Sequence, residues 1–399
     1  MTRLGLVVNP VAGLGGRVGL GGTDGPDRVR TALSLGARPL AGARAAAALG
    51  ELAARAGGPA RDGLLVVTAA GRLGADSVAA AGLAERIVYA AGAGRETSAT
   101  DTAAAVRAVV AEGVDLLLFA GGDGTARDVL GALGPSGVVG APGSRGVLGS
   151  PGHVPCPVLG VPTGVKMHSA VFAVGPRAAG EVAAAWLARA GGVRLRDAEV
   201  MDRDEDALGE GRVTSRLFGW LPVPDVPVRV QQRKTGSTAA SPEAVGGIAA
   251  EVAERIGEGL LVLGPGSTTR AVAAALGADV SLTGVDALAL RPGHPPRVVA
   301  RDAGEDTLLA LGPAWIALSP IGGQGFLLGR GNQQISPRVL RSAGGRERLL
   351  VLCTEAKLAA LGGRPLLLDT GDEALDAELS GHLRVITGRR RTSLYRLAM

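Results

Sequence analysis

The chain of 399 residues is long enough for two domains with real cores, and its 46% hydrophobic and 20% charged residues are those of a folded globular protein. A pI near 9.8 accompanies a net charge of only +5, and three of the 42 basic residues are lysines; with no arginine cluster interleaved with aromatics, this weighs against a nucleic-acid face. No apolar run reaches the ~18 residues a membrane span needs, and Cys156 and Cys353 make no disulfide or ligand framework, which points to a reducing, cytoplasmic setting away from membranes. The opening "MTRLGLVVNP" has no signal-like segment; "LGLVVNP" (4–10) reads as a first strand that runs into a glycine loop. "GLLVVTA" (63–69) and "RIVYAA" (86–91) are further strands, and "SATDTAAAVRAVVAEG" (98–113) is helical. "DLLLFAGGDGTARDV" (115–129) then gives a strand, a tight turn and a helix from about Thr125 to Leu133.

Residues 134–157, dense in Gly, Pro and Ser, are expected to form a surface insertion, followed by a strand, "PVLGVPT" (157–163), and a helix at about 177–190. The stretch 193–232 reads as short strands and turns, and "GSTAASPEA" (236–244) as a linker. Residues 245–318 return to α/β alternation, and two more strand-like runs lie in "RLLVLCTEAKLAALGGRPLLLDTGD". Alternating strands and helices predict a parallel sheet. The fold expected is α/β: a parallel-sheet amino-terminal domain (1–175), then a β-rich carboxyl-terminal domain (176–399) carrying an inserted α/β subdomain at about 245–318.

The standard phosphate loop GxxxxGK[ST] is missing, and the loop after the first strand fails GxGxxG because Val18 stands where the third glycine belongs. What remains is "GGDGT" (121–125). Glycines there free backbone N–H groups to converge, and a new helix adds its positive end, so the turn suits phosphate. Thr125 can cap the helix. Asp123 repels phosphate, and makes sense as a magnesium ligand or as the base for an attacking hydroxyl; Asp and Thr are also simply good turn and cap residues.

The chain has two asparagines, Asn9 and Asn332, both in glycine-rich turns, and "KMH" (166–168) places three rare residue types together. Lys166 reads equally as a phosphate ligand or a surface lysine. His168, with no metal partners in sight, reads as structural. "LGPGST" (263–268) fits a second phosphate turn or an ordinary βα connection, and Glu305 and Asp306 read as helix N-terminal carboxylates.

"VNPVAG" (8–13) followed far downstream by "GGDGT" resembles the superfamily of NAD kinases and diacylglycerol-type kinases. "LGVPTGVKMHSAVFA" and "SPIGGQGFLLGRGNQQISP" narrow the resemblance to the ATP-NAD kinase-like family, which includes a protein associated with acetoin catabolism. The resemblance implies a kinase that takes ATP as donor, with magnesium, and phosphorylates the 2′-hydroxyl of NAD to give NADP. It implies a phosphate cradle of Asn9, Gly13, Gly15, Gly16, Gly121, Gly122, Gly124, Thr125 and Lys166, with Asp123 catalytic. Glu199, Gly322, Gly323, Gln324, Gly325 and Asn332 fall on the dinucleotide side, and no protein metal ligand set is expected. A homo-oligomer is expected.

Two departures bear on the acceptor. Ala198 stands where the family's Asn-Glu pair has asparagine, and "GQG" replaces "GST". A kinase for a small polyol or lipid therefore stays open, as does a non-catalytic dinucleotide sensor.

Overall fold

The computed structural model describes residues 2–20, 25–58, 62–92, 97–134, 156–164, 167–188, 192–203, 215–226, 230 and 241–399. The chain divides into two compact units. Unit 1 comprises Met1–Gly13 and Arg38–Arg233; unit 2 comprises Leu14–Ala37 and Lys234–Met399.

Unit 1 is built on β1 (Thr2–Val8), β2 (Leu64–Ala69), β3 (Ala84–Tyr89), β4 (Leu116–Gly121) and β5 (Val158–Pro162), all parallel in the order β3-β2-β1-β4-β5. β4 and β5 are buried along their whole length, β4 as an interior strand covered on both faces and β5 at the edge with Phe172 bridged to its Gly160. The helices Ala41–Ala56 and Pro176–Leu187 cover one face, and Ala99–Ala111 and Asp123–Leu133 the other. β1 and β4 are neighbours, yet the chain leaves them towards helices on opposite faces. That divergence is a topological switch point, where α/β sheets hold ligands beyond the strand ends. Asn9 and the GGDGT turn lie there. An antiparallel pair, β6 (Arg194–Arg203) with β7 (Ser215–Asp225), packs beside the helix Asp123–Leu133 and belongs to this unit, so residues 176–225 lie with the parallel sheet.

Unit 2 is built on a mixed sheet of β8 (Gly259–Leu263), β9 (Asp286–Arg291), β10 (His294–Ala300), β11 (Trp315–Leu318), β12 (Leu349–Leu352), β13 (Leu366–Leu367), β14 (Gly381–Gly388) and β15 (Arg391–Ala398). Their order is β10-β9-β8-β11-β12-β14-β15-β13. β8, β11, β12 and β14 are parallel, and antiparallel strands extend both sides. Helices Pro242–Ile256 and Ser267–Ala275 close a core around Val252, Leu261 and Leu288; Pro337–Ala343 and Glu373–Leu379 close another around Ile316, Leu340 and Val351.

Residues 245–318 read in sequence as an α/β subdomain inserted into the second domain. In the structure their strands β8–β11 are hydrogen-bonded into the same sheet as β12, β14 and β15. Periodicity identifies a strand but not its neighbour, and β11 pairs β8 on one side and β12 on the other. The basic run 388–391 is the tip of the β14–β15 hairpin. There Arg389 and Arg390 pair with Glu254, and the Arg390 N–H donates to Glu251 Oε2 (2.7 Å).

Candidate active site

The turn after β4 is crowded with backbone. Gly121 accepts a hydrogen bond from the Thr163 N–H at the end of β5 (2.9 Å), and Gly122 stands as the residue before the helix Asp123–Leu133. Gly13 has φ 81°, and a Cβ on it would overlap the carbonyl oxygen of Thr163. A Cβ on Gly121 would come within 2.6 Å of Thr125 Cγ2 and closer still to its Cβ and Oγ1. These glycines are required by close packing of three loops at the carboxyl ends of β1, β4 and β5.

Thr125 does not cap the helix. The helix begins two residues earlier, at Asp123, so Thr125 lies within its first turn, and its Oγ1 accepts from Asn9 Nδ2 (2.9 Å). Asn9 Oδ1 accepts from the Val11 N–H (3.2 Å), and the Asn9 N–H donates to Ala120 O (2.9 Å). The asparagine therefore staples the loop after β1 to the helix after β4. Thr163, 6% exposed, keeps a buried Oγ1 with no hydrogen-bond partner among the described residues. An orphan hydroxyl beside three glycine turns is a donor waiting for an acceptor such as a phosphate oxygen.

Asp123 is 5% exposed. Its Oδ2 accepts from the His168 N–H (2.7 Å) and lies 3.1 Å from His168 Nδ1. Its Oδ1 accepts from the Ser169 N–H (3.0 Å) and Ser169 Oγ (2.6 Å). Ser169 Oγ also lies 2.8 Å from Met201 O and accepts from the Met201 N–H (2.9 Å), and the Ala170 N–H donates to Glu199 O (2.8 Å). Asp123 thus ties the helix to the 167–170 segment, and that segment to β6. Sequence reasoning did not single out Ser169 or the hydroxyl of Thr163, and took His168 as structural; the cluster of rare residues at 166–168 was the available signal. Lys166 lies outside the described residues.

Glu199 belongs to unit 1, two residues before Met201 on β6, where it sits with Arg196; burial pulls the Arg196 guanidinium below its ordinary pKa, and Asp225 and Glu199 oppose the shift. The other dinucleotide candidates are in unit 2. The Gly325 N–H donates to Ile321 O and the Ile321 N–H to Phe326 O (both 2.8 Å), while Gly323 O accepts from Arg364 Nη2 (2.9 Å), so Gly322–Gly325 form a closed loop after β11 with Gln324 buried in it. Asn332 has both ends of its amide engaged, Oδ1 with the Gly329 N–H and Nδ2 with Leu327 O (both 2.9 Å). Gly15 and Gly16 also fall in unit 2, where the neighbouring Arg17 O accepts from the Glu305 N–H (3.1 Å). At the carboxyl ends of β8, β11 and β12, Lys357 Nζ donates to Thr268 Oγ1 (3.3 Å) and Ser319 Oγ (2.9 Å).

Residues 61–149 match the model of the ATP-NAD kinase N-terminal domain, and residues 256–397 that of the ATP-NAD kinase C-terminal domain. The chain belongs to the NAD kinase-like family. Its function is accordingly of the ATP-dependent, NAD kinase-like kind, that of a phosphotransferase. No curated protein and no solved structure matches the chain. Within this NAD kinase-like chain the GGDGT turn lies in the amino-terminal match, and Gly322–Gly325 with Asn332 in the carboxyl-terminal one. Asn9, Gly13, Gly15 and Gly16 precede the first match, and Lys166 and Glu199 fall between the two. No helix among the described residues is long and apolar enough to cross a membrane.

Magnesium, which the family implies, finds no cluster of ligands among the described residues. Among the described residues no three His, Cys, Asp or Glu side chains come together to hold a metal, and the oxygens of Asp123 are already taken up by four donors. The described residues make no protein cage for magnesium.

Proposed function

We propose that the protein transfers a phosphoryl group from ATP to the 2′-hydroxyl of the adenosine ribose of NAD, giving NADP. The observation that carries the reading is the GGDGT turn at the switch point of the unit 1 sheet, within a chain whose two parts match the two domains of ATP-NAD kinase. The first-turn N–H groups of the helix Asp123–Leu133 and the orphan hydroxyl of Thr163 supply donors for phosphate oxygens. Asn9 and the glycines hold those donors in place before substrate arrives, which is what phosphoryl transfer asks of a protein. Gly322–Gly325 and Glu199 are the dinucleotide contacts in this reading.

A second reading, the same transfer to another hydroxylated acceptor, draws on Ala198. It is fully buried on β6, so the position offers no amide to a nucleoside and no room for one. One assay separates the two. Purified protein is incubated with magnesium, ATP or polyphosphate, and NAD, NADH or a panel of polyols and lipids, and the products are resolved by chromatography and mass. NADP is the expected product. Phosphorylation of another acceptor without NADP overturns NAD as substrate, and no consumption of donor with any acceptor overturns the kinase. The homo-oligomer expected here is tested by light scattering.

A further inference from the structure

The edge of the unit 2 sheet at which its parallel strands begin carries a cavity of about 510 Å³. It lies where β11, β12 and β14 start and where the helices Pro242–Ile256 and Glu373–Leu379 end. Arg255, Arg346 and Arg384 line it with His382, against one carboxylate, Glu347, and Trp315 supplies an aromatic wall.

The strand register explains why these groups meet. β12 pairs Val351 with Val385 and Leu352 with Ile386 of β14, and β11 pairs Ile316 with Leu349 of β12. Successive side chains on a strand alternate between faces. Leu350, Leu352 and Ile386 face the core closed by the helix Pro242–Ile256, and Trp315 packs against that core. His382 and Arg384 stand four and two residues before Ile386, so they share its face. Arg255 comes from the last turn of the same helix.

Arginines near helix carboxyl ends often do no more than answer the last carbonyls. Arg346 does that: its Nη1 donates to Ser380 O (3.0 Å) and Leu379 O (3.3 Å), and its Nη2 to His382 O. Arg255 and Arg384 do not. Arg255 meets Glu251 Oε1 through Nε (2.8 Å), and Glu251 Oε2 is engaged by the Arg390 N–H. Both Arg255 Nη groups are then without a partner among the described residues, and Arg384 makes no hydrogen bond or ion pair with them. A further guanidinium, that of Arg348, stands 5.6 Å from the centre of the Trp315 ring.

We infer that this cavity binds a nucleoside phosphate, with the phosphate between Arg255 and Arg384 and the base against Trp315. Each guanidinium is a flat fork of donors that fits two phosphate oxygens, and three of them against one carboxylate leave a surplus of positive charge. A bare phosphate would leave most of the volume unused, since cavities of about 300–1,000 Å³ enclose ligands of drug size. Trp315 and Leu383 offer the aromatic and apolar surface that a base covers, and Glu347 accepts from a ribose hydroxyl. Every lining residue belongs to unit 2, and none is in the GGDGT turn or in Gly322–Gly325. The inference is therefore independent of which acceptor the protein phosphorylates.

The test needs no turnover. Of the three tryptophans, Trp186 and Trp220 belong to unit 1 and Trp315 to unit 2, so W186F/W220F protein keeps Trp315 as its only reporter. Its emission is followed while AMP, adenosine and pyrophosphate are added in separate titrations. AMP is expected to change the emission saturably and to bind at least about tenfold more tightly than either of the others. In the same background R255A/R384A, checked for its fold by circular dichroism, should weaken AMP about ten- to a hundredfold. R255K/R384K, which keeps both charges and loses both forks, should fall between that variant and the parent. Adenosine binding as well as AMP would mean that the arginines contribute nothing, and pyrophosphate binding as well as AMP that the base contributes nothing. Either result overturns the inference, as does an emission that AMP leaves unchanged. So does AMP affinity undiminished in whichever of the two variants is folded.

Discussion

Replacing Gly121 by alanine tests whether the glycines of GGDGT are there for steric reasons. The new methyl would meet Thr125 Cγ2 at 2.6 Å, with Cβ and Oγ1 nearer still. Rotating Thr125 cannot relieve this, because its Cβ is fixed to the backbone and β-branching leaves χ1 stiff. The first turn of the helix Asp123–Leu133 must therefore move. Overpacking of this kind costs about 1–3 kcal/mol. Displacing Thr125 also strains the hydrogen bond from Asn9 Nδ2 to its Oγ1, worth about 0.5–1.5 kcal/mol. The sum, about 1.5–4.5 kcal/mol, corresponds to a fall in Tm of about 3–18 °C for a unit of this size. Thermal unfolding followed by circular dichroism measures it, beside phosphoryl transfer assayed well below Tm. The double variant G121A/T125G removes all three close atoms, so its loss should be smaller than the sum of the single ones. A G121A protein within 0.5 kcal/mol of the parent, or additive losses in the double variant, would refute the packing argument.

Three further outcomes are expected. Arg330 and Asp369 form a buried pair (2.5 Å) with the guanidinium 4.5 Å above the Phe326 ring, so R330M strands a buried carboxylate and should cost about 3–5 kcal/mol in a denaturant titration, whereas R330M/D369L should cost far less. Asn332→Ala leaves the Gly329 N–H and Leu327 carbonyl without partners and should cost about 1–3 kcal/mol by the same measurement; an unchanged midpoint would mean the loop holds itself. Burial pushes the Cys156 thiol up to about 12 and the Cys353 thiol up to about 11. Both should resist a thiol reagent at pH 8 in the folded protein and react on unfolding. Because the folded values are raised, the stability these thiols contribute is complete below the unfolded value of about 9 and is lost as pH climbs through 11–12. Cys353→Ala should flatten part of that alkaline loss, and an unaltered pH curve would exclude the thiol as its source.

The parallel sheet of unit 1 was legible because each of its strands is a short apolar run separated from the next by a helix or a glycine-rich turn; β1 through β5 fall on the stretches read as strands. The position of GGDGT between strand and helix was legible for the same reason. The partners of Asp123 were not, since His168 and Ser169 lie 45 and 46 residues away and local pattern carries no information about such contacts. Thr125 as a cap was a local reading defeated by a remote residue, Asn9, 116 positions earlier. The β14–β15 hairpin went unread because Arg384, Arg391 and Arg396 break up its apolar residues. Glycine, at 64 positions, gave little warning of where it is indispensable, because the need arises from the backbone of another loop, as at Gly13 against Thr163.

The two compact units are not two consecutive pieces of chain. The path leaves unit 1 after Gly13, contributes Leu14–Ala37 to unit 2, and returns at Arg38. On the ribosome this has a consequence in time. Arg17 is made early, but the Glu305 amide that bonds to its carbonyl emerges only after all of unit 1 has been synthesised. At about 5–20 residues per second that interval lasts tens of seconds. During it Leu14–Ala37 waits for the rest of unit 2 while the parallel sheet of unit 1 forms. A scission at residue 233 would likewise yield a carboxyl-terminal fragment deprived of one of its own segments. Independent expression of unit 2 therefore calls for a permuted gene in which Leu14–Ala37 is grafted back onto it.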